Sequence, residues 1–300
     1  MRKNSFFIIL IIALIIVIPS VHGFNLLDWI MGKATQQPTD VSIVVAGNPP
    51  TVDDISPIPD QSVTEASVTY VTFYALVSDP DGTENIYSVN ATFNKTGEET
   101  RYNSSCVKVS DLNATQANYS CTIGIWYWDG AGGWNVTVTA RDLDNNVADR
   151  MEGFTLLEST CFVMSPSALT WPSVAPGSKN QTSNNDPSLL NNTCNDDIEE
   201  GNIQIKALNL HGETNPTYYI PAENFATDID TGGSPPAECD GTSLQHEVFV
   251  SIAGASLPAG NNSAGQGQEQ LYYCLVETPS SLISQTYSTN LLGSWIIKIL

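Results

Sequence analysis

From Val68 to Val77 the chain reads VTYVTFYALV, which sets Val68, Tyr70, Thr72, Tyr74 and Leu76 on one face and Val71, Phe73, Ala75 and Val77 on the other. Successive side chains of a strand point to opposite faces, so this period of two in β-branched and aromatic residues predicts a strand in the middle of a sheet. Similar alternation runs through ENIYSVNATF, ETRYNSSCVKV, ANYSCTIGIWYW, GGWNVTVTARD and VADRMEGFTLL, giving about seven strands between Thr51 and Leu157, enough for a two-sheet sandwich. In GWNVTVTA the apolar Trp134, Val136, Val138 and Ala140 alternate with Asn135, Thr137 and Thr139, so Asn135 is expected to face solvent. From Cys161 onward the strands are less regular: ALTWPSV, SLLNNTC, NIQIKALNL, YYIPAENF, HEVFVSI, QLYYCLV and SWIIKIL, joined by loops rich in Asn, Gly, Ser and Pro. Past residue 47 no stretch of helical length carries an amphipathic period. The pattern predicts an all-β protein of two tandem antiparallel β-sandwiches, residues 48–158 and 159–300.

The first residues break this pattern. MRKNSFFIILIIALIIVIPSVHG pairs two bases with an unbroken apolar run from Phe6 to Ile18 and ends in small residues, the plan of a secretory signal peptide over residues 1–23. An uncleaved anchor reaching Met31 is the alternative, and any membrane attachment is then N-terminal. Residues 24–47 are expected to form a linker or tether.

Composition agrees with export. The formal charge of −21 falls to −23 once Arg2 and Lys3 leave. A surface so short of bases has no basic face to release counterions from a phosphate backbone, which excludes a nucleic-acid partner. Six cysteines, Cys106, Cys121, Cys161, Cys194, Cys239 and Cys274, contain no CxxC pair and read as three disulfides of an exported chain. Cys106 is expected to bridge Cys121 across the polar segment VKVSDLNATQANYS, read as a loop. For the rest the pairs Cys161 with Cys194 and Cys239 with Cys274 are expected, although spacing alone leaves the connectivity open. Nine asparagines stand in N-x-S/T sequons: Asn90, Asn94, Asn103, Asn113, Asn118, Asn135, Asn180, Asn191 and Asn261.

Two clusters carry candidate chemistry. VSDPDGT and ARDLDNN fall at the second-to-third and sixth-to-seventh strand connections, which share one pole of an immunoglobulin-like sandwich. Asp79, Asp81, Asp142, Asp144 and Asn145 would then converge, with Asp53 or Asp54 nearby, and offer the oxygen set of a structural calcium ion. The competing reading is that Asp beside Pro or Gly stabilises turns through its own side-chain hydrogen bonds. The second cluster, GIWYWDGAGGW, holds Trp126, Tyr127, Trp128 and Trp134; Trp126 and Trp128 are candidates for a stacking platform, against the alternative of core and corner aromatics. Catalytic machinery is absent from the pattern. Only His211 and His246 remain beyond the signal segment, and no GxSxG, GxGxxG, P-loop or HExxH is present.

The segment NPPTVDDISP, YVTFYALVSDPDGTENIYSVNATF and GGWNVTVTARDLDNNVA resembles the immunoglobulin-like repeats of archaeal and bacterial cell-surface proteins, over roughly residues 48–158. The second unit, ALTWPSVAPGSKN to NNTCNDDIEEGNIQIKALNL, is similar to the β-sandwich subunits of secreted envelope and fibre proteins, with Cys194 where those commonly carry Gly. These resemblances imply a secreted or cell-surface structural glycoprotein, non-enzymatic, built into an envelope, filament or array with other envelope proteins or copies of itself. Any metal they imply is a structural calcium held by Asp79, Asp81, Asp142 and Asp144. A carbohydrate- or protein-binding adhesin that recognises cell-surface glycans is the alternative, and a secreted hydrolase a remote one.

Overall fold

The computed structural model describes residues 39–45, 47–230, 239–260 and 266–300. The signal segment, most of the expected tether and the Asn261 sequon lie outside them. Among the described residues no α-helix forms, and none is long and apolar enough to cross a membrane. The chain is all-β. Residues 39–45 belong to no strand.

Eight strands build the first sandwich: β1 (Thr51–Ile55), β2 (Val68–Ser78), β3 (Ile86–Asn94), β4 (Arg101–Asn103), β5 (Val107–Asn113), β6 (Gln116–Trp126), β7 (Gly132–Asp142) and β8 (Val147–Leu156). They pair antiparallel as β1-β2-β6-β5 and β4-β3-β7-β8, the strand order of an immunoglobulin-like Greek key. The inward residues of β2 are Val71, Phe73, Ala75 and Val77, as the alternation predicts, and they meet Phe93, Trp134, Val136, Val138 and Ala140 from the facing sheet in one core. Phe73 lies 5.6 Å from Phe93, and Phe93 lies 4.8 Å from Phe154, centroid to centroid.

Two readings of this region are corrected. ETRYNSSCVKV is not one strand: Asn103 Oδ1 accepts the Ser105 N–H at 2.8 Å, and the turn this makes carries the chain from β4 in one sheet to β5 in the other. The segment read as a polar loop is a hairpin, β5 against β6, whose turn Asn113 closes by accepting the Thr115 N–H at 2.9 Å. Cys106 stands on the crossover. Its N–H donates to Val89 O of β3 at 2.8 Å while its sulfur bonds Cys121 of β6, so this disulfide staples the two sheets together.

The second sandwich contains β9 (Phe162–Ser165), β10 (Lys179–Thr182), β11 (Ser188–Asn192), β12 (Ile203–Lys206), β13 (Leu210–Gly212), β14 (Tyr219–Ile220), β15 (Phe225–Ile229), β16 (Thr242–Ser243), β17 (Phe249–Ser251), β18 (Gln268–Glu277), β19 (Tyr287–Ser288) and β20 (Ile296–Ile299). The central β18 pairs with β15 on one side and with β11 and β10 on the other, while smaller sheets order as β17-β12-β20 and β14-β13-β19. Its separate core gathers Leu190, Ile203, Ile205, Phe225, Leu244, Ile252, Leu271 and Tyr273. ALTWPSV forms no strand. Its polar groups are satisfied elsewhere, Thr170 N–H donating to Asn185 Oδ1 at 3.0 Å and Trp171 Nε1–H to Gln181 O at 3.1 Å, and Pro172 lacks the N–H a ladder requires. Cys161 bonds Cys194 and Cys239 bonds Cys274, with Cα separations of 5.2 and 5.5 Å that fall in the range a disulfide spans.

Candidate functional site

The acidic pole assembles where the strand order requires. Thr51 pairs with Ser78, Ile86 with Asp142 and Gln116 with Ser78, so the DPDG turn, the β7–β8 turn, the β5–β6 turn and the entry to β1 all lie at one end. Leu143 N–H donates to Asn85 O at 2.9 Å, joining the two acidic turns directly. Gly47 lies between them: a Cβ there would collide with Asp144 Oδ2 and stand 3.1 Å from Asp81 Oδ2. Sequence reasoning therefore places the acids together correctly, and their hydrogen bonds say what they do.

Asp79 is fully buried; its Oδ1 accepts the Asp81 N–H at 2.8 Å and its Oδ2 accepts Asn85 Nδ2–H at 3.2 Å. Asp142, also buried, accepts Asn146 N–H on Oδ1 and Asn146 Nδ2–H on Oδ2, both at 2.7 Å. Asp81 accepts two bonds from Asn48, at 2.6 and 3.1 Å, and Asn145, at positive φ, accepts from Arg141 at 2.6 Å. Among the five candidate ligands only Asp144 accepts no hydrogen bond from the described residues. These bonds are the turn-stabilising contacts expected of Asp beside Pro, Gly and Asn, and they leave Asp144 and the second lone pairs of the other carboxylates uncommitted. Among the described residues no group of three or more His, Cys, Asp or Glu is arranged to hold a metal ion. Asp53 lies apart, in the β1 bulge. Burial opposes its ionisation, but hydrogen bonds from Ser78, Gln116 and Thr51 and the charge of Arg150 together hold its carboxyl below the usual range. Asp54 sits 3.7 Å from Arg150.

The aromatic cluster lies at the opposite pole and divides. Trp134 is core, with its Nε1–H donated to Gly130 O at 3.0 Å. Trp126 remains 38% exposed and stacks on Trp128, centroids 4.7 Å apart and planes 9° from parallel. Trp128 and Tyr127 abut Gly260 of the second sandwich, where a Cβ would lie 3.7 Å from Tyr127 Cε2 and 3.9 Å from Trp128 Cβ.

That contact is part of a junction the sequence reading missed. Asp129, fully buried, receives Arg101 through Nε at 3.0 Å and Nη2 at 2.5 Å, and also accepts the Trp126 N–H at 2.8 Å. Burial works against the Arg101 charge, but the hydrogen bonds and charge of Asp129, with help from Glu99, raise its pKa above the ordinary arginine value. The Asp129 carbonyl accepts Asn195 Nδ2–H at 3.1 Å, and the same amide reaches Leu157 O at 3.2 Å while Asn195 Oδ1 accepts the Ser159 N–H at 2.9 Å. Thr193 adds its carbonyl to Ala66 N–H at 2.9 Å and its hydroxyl to Glu65 at 2.8 Å. One signal could have revealed this: in a chain with 11 bases, an arginine at an inward position of a strand needs a buried acid.

The sequons are distributed by the same alternation. Asn90, Asn94 and Asn135 share the outer face of β3 and β7, and Asn94 is the direct cross-strand partner of Asn135. Asn94, Asn113, Asn135 and Asn180 are exposed, and Asn90, Asn103, Asn118 and Asn191 half-buried. Asn103 donates its amide to Thr122 O at 2.9 Å. No family model and no curated protein matches the sequence.

Proposed function

We infer that the chain is an exported structural glycoprotein of a cell surface, a non-enzymatic part of an envelope, filament or array. Three disulfides point to folding in an oxidising, extracellular environment. The observation that carries the reading is the outer face of β3 and β7. There the ladder Asn90, Thr92, Asn94 faces Thr139, Thr137, Asn135, so three acceptor sites gather on one polar wall that a glycan layer would hydrate. The junction through Asp129, Asn195 and Thr193 supports a mechanical role, since it ties the two sandwiches by hydrogen bonds and not by a bare linker. Fractionation of the native host with protease shaving of intact cells tests it: the chain is expected in the shaved surface fraction, and recovery in the cytosol would refute the reading.

The adhesin reading has one observation in its favour, the partly exposed Trp126 stacked on Trp128, because a sugar ring packs on an aromatic face. Trp126→Ala that abolishes glycan-array binding at unchanged Tm would select it. Unchanged binding would remove it.

A further inference from the structure

Residues 41–45 read VSIVV, and Val41, Ile43, Val44 and Val45 are 79–93% exposed, four branched aliphatics in five residues with no strand partner. An apolar segment of this kind has the composition of a strand and lacks a sheet. The second sandwich has the complementary defect. Among the described residues, thirteen hydrophobic side chains pack only partly buried against its core, against three for the first sandwich. Five of them, Leu282, Tyr287, Trp295, Ile297 and Ile299, belong to the segment that ends in β20.

β20 pairs with β12 on one side and with no strand on the other among the described residues. Leu300 N–H donates to Asn202 O, so by antiparallel alternation the N–H groups of Ile297 and Ile299 point to the open edge. Charge supports the same place. Lys206 and Lys298 lie 5.3 and 5.5 Å from the Phe249 ring and carry no carboxylate partner among the described residues, whereas Lys95, Arg101, Lys108, Arg150 and Lys179 are all ion-paired. Asp40, the only charge between Lys33 and Asp53, adjoins the VSIVV segment.

Chain reach favours the β20 of a neighbouring copy over the segment's own. Gly47 is held at the Asp81–Asp144 pole, and the second sandwich joins at the far pole, beyond the eleven residues of β2. Those residues rise about 36 Å at ~3.3 Å each. Residues 41–46 reach about 20 Å at most. We propose that residues 41–45 of one copy add as a strand to the open edge of β20 in the next copy, covering its half-buried core and linking copies head to tail. Donor and acceptor are different surfaces of the chain, so the contact is heterologous, and repeated without closing it yields filaments. This names the partner within the surface-component reading and rests on it.

The test uses two variants and sedimentation velocity. Ile43→Asp disables the donor at an 82% exposed position, and Ile299→Pro removes one outward N–H from the acceptor edge, with Tm checking the fold of both. The unaltered chain is expected to form polydisperse oligomers, each variant alone to stay monomeric, and their equimolar mixture to stop at dimers. Polymers of Ile43→Asp, or an unaltered chain that is monomeric up to its solubility limit, would overturn the proposal. A monomer that is still glycosylated and surface-exposed would leave the broader reading standing, so the two failures are distinguishable.

Discussion

Asp129→Ala is the sharpest perturbation the structure offers. The substitution leaves the Arg101 guanidinium, whose side chain is 9% exposed, with only the exposed Glu99 as a partner, and it strips the Trp126 N–H of its acceptor. Removing one member of a buried, hydrogen-bonded ion pair costs about 3–5 kcal/mol because the surviving charge stays desolvated. With ~2–4 °C of Tm per kcal/mol for a unit of this size, the variant is expected to melt roughly 10 °C lower. Arg101→Met combined with Asp129→Leu removes both charges and is expected to recover most of that loss. Thermal unfolding followed by tryptophan fluorescence measures all three proteins. A single variant that melts within about 1 °C of the parent, or a double variant no more stable than the single, would refute the claim that the orphaned charge sets the cost.

Three further outcomes follow from the same geometry. Replacing Cys106 and Cys121 by alanine opens a loop of sequence separation 15 and should lower stability by about 3 kcal/mol in urea unfolding at unchanged glycan content. Adding calcium or a chelator should leave Tm unchanged where Asp79 and Asp142 act as turn acceptors only, the role their hydrogen bonds support; a calcium-dependent rise that Asp144→Asn abolishes would instead place a structural ion at this pole. The two sandwiches should respond to pH in opposite senses. Asp53, whose carboxyl is held low, contributes stability above the ordinary aspartate range that is lost as pH falls through its folded value. Burial raises Asp186 and Glu269, so the folded state binds their protons more tightly and stability declines as pH rises from the ordinary carboxylate range through their folded values. Asp186→Asn with Glu269→Gln should flatten that decline in a Tm-against-pH series, while Asp53→Asn should weaken the acid-side loss.

The first sandwich is legible from its sequence because the inward positions of β2, β3, β6 and β7 are almost all apolar at every second residue, and a period of two then sets both strand and register. The acidic pole follows from topology once the strands are counted. What the pattern does not carry is the local hydrogen bond that redirects the chain. Asn103 turns one apparent strand into two, and Asn85 and Asn146 donate to Asp79 and Asp142 in turns whose bonding the pattern does not show. The second sandwich resists reading for another reason. Its strands β13, β14, β16, β17 and β19 have two or three residues, too short to show a period, and Trp171 is positioned by the carbonyl of Gln181 and not by a ladder. The Arg101–Asp129–Asn195 junction joins residues far apart in sequence, where no periodicity operates.

The central claim, a chain folded outside the cytoplasm into two disulfide-stapled, glycan-bearing sandwiches, is tested most directly by intact mass on protein from the native host, alkylated with and without prior reduction. The account predicts a mass above that of the bare polypeptide, which enzymatic deglycosylation removes, and six cysteines that alkylate only after reduction. An unmodified mass with all six thiols free would contradict it.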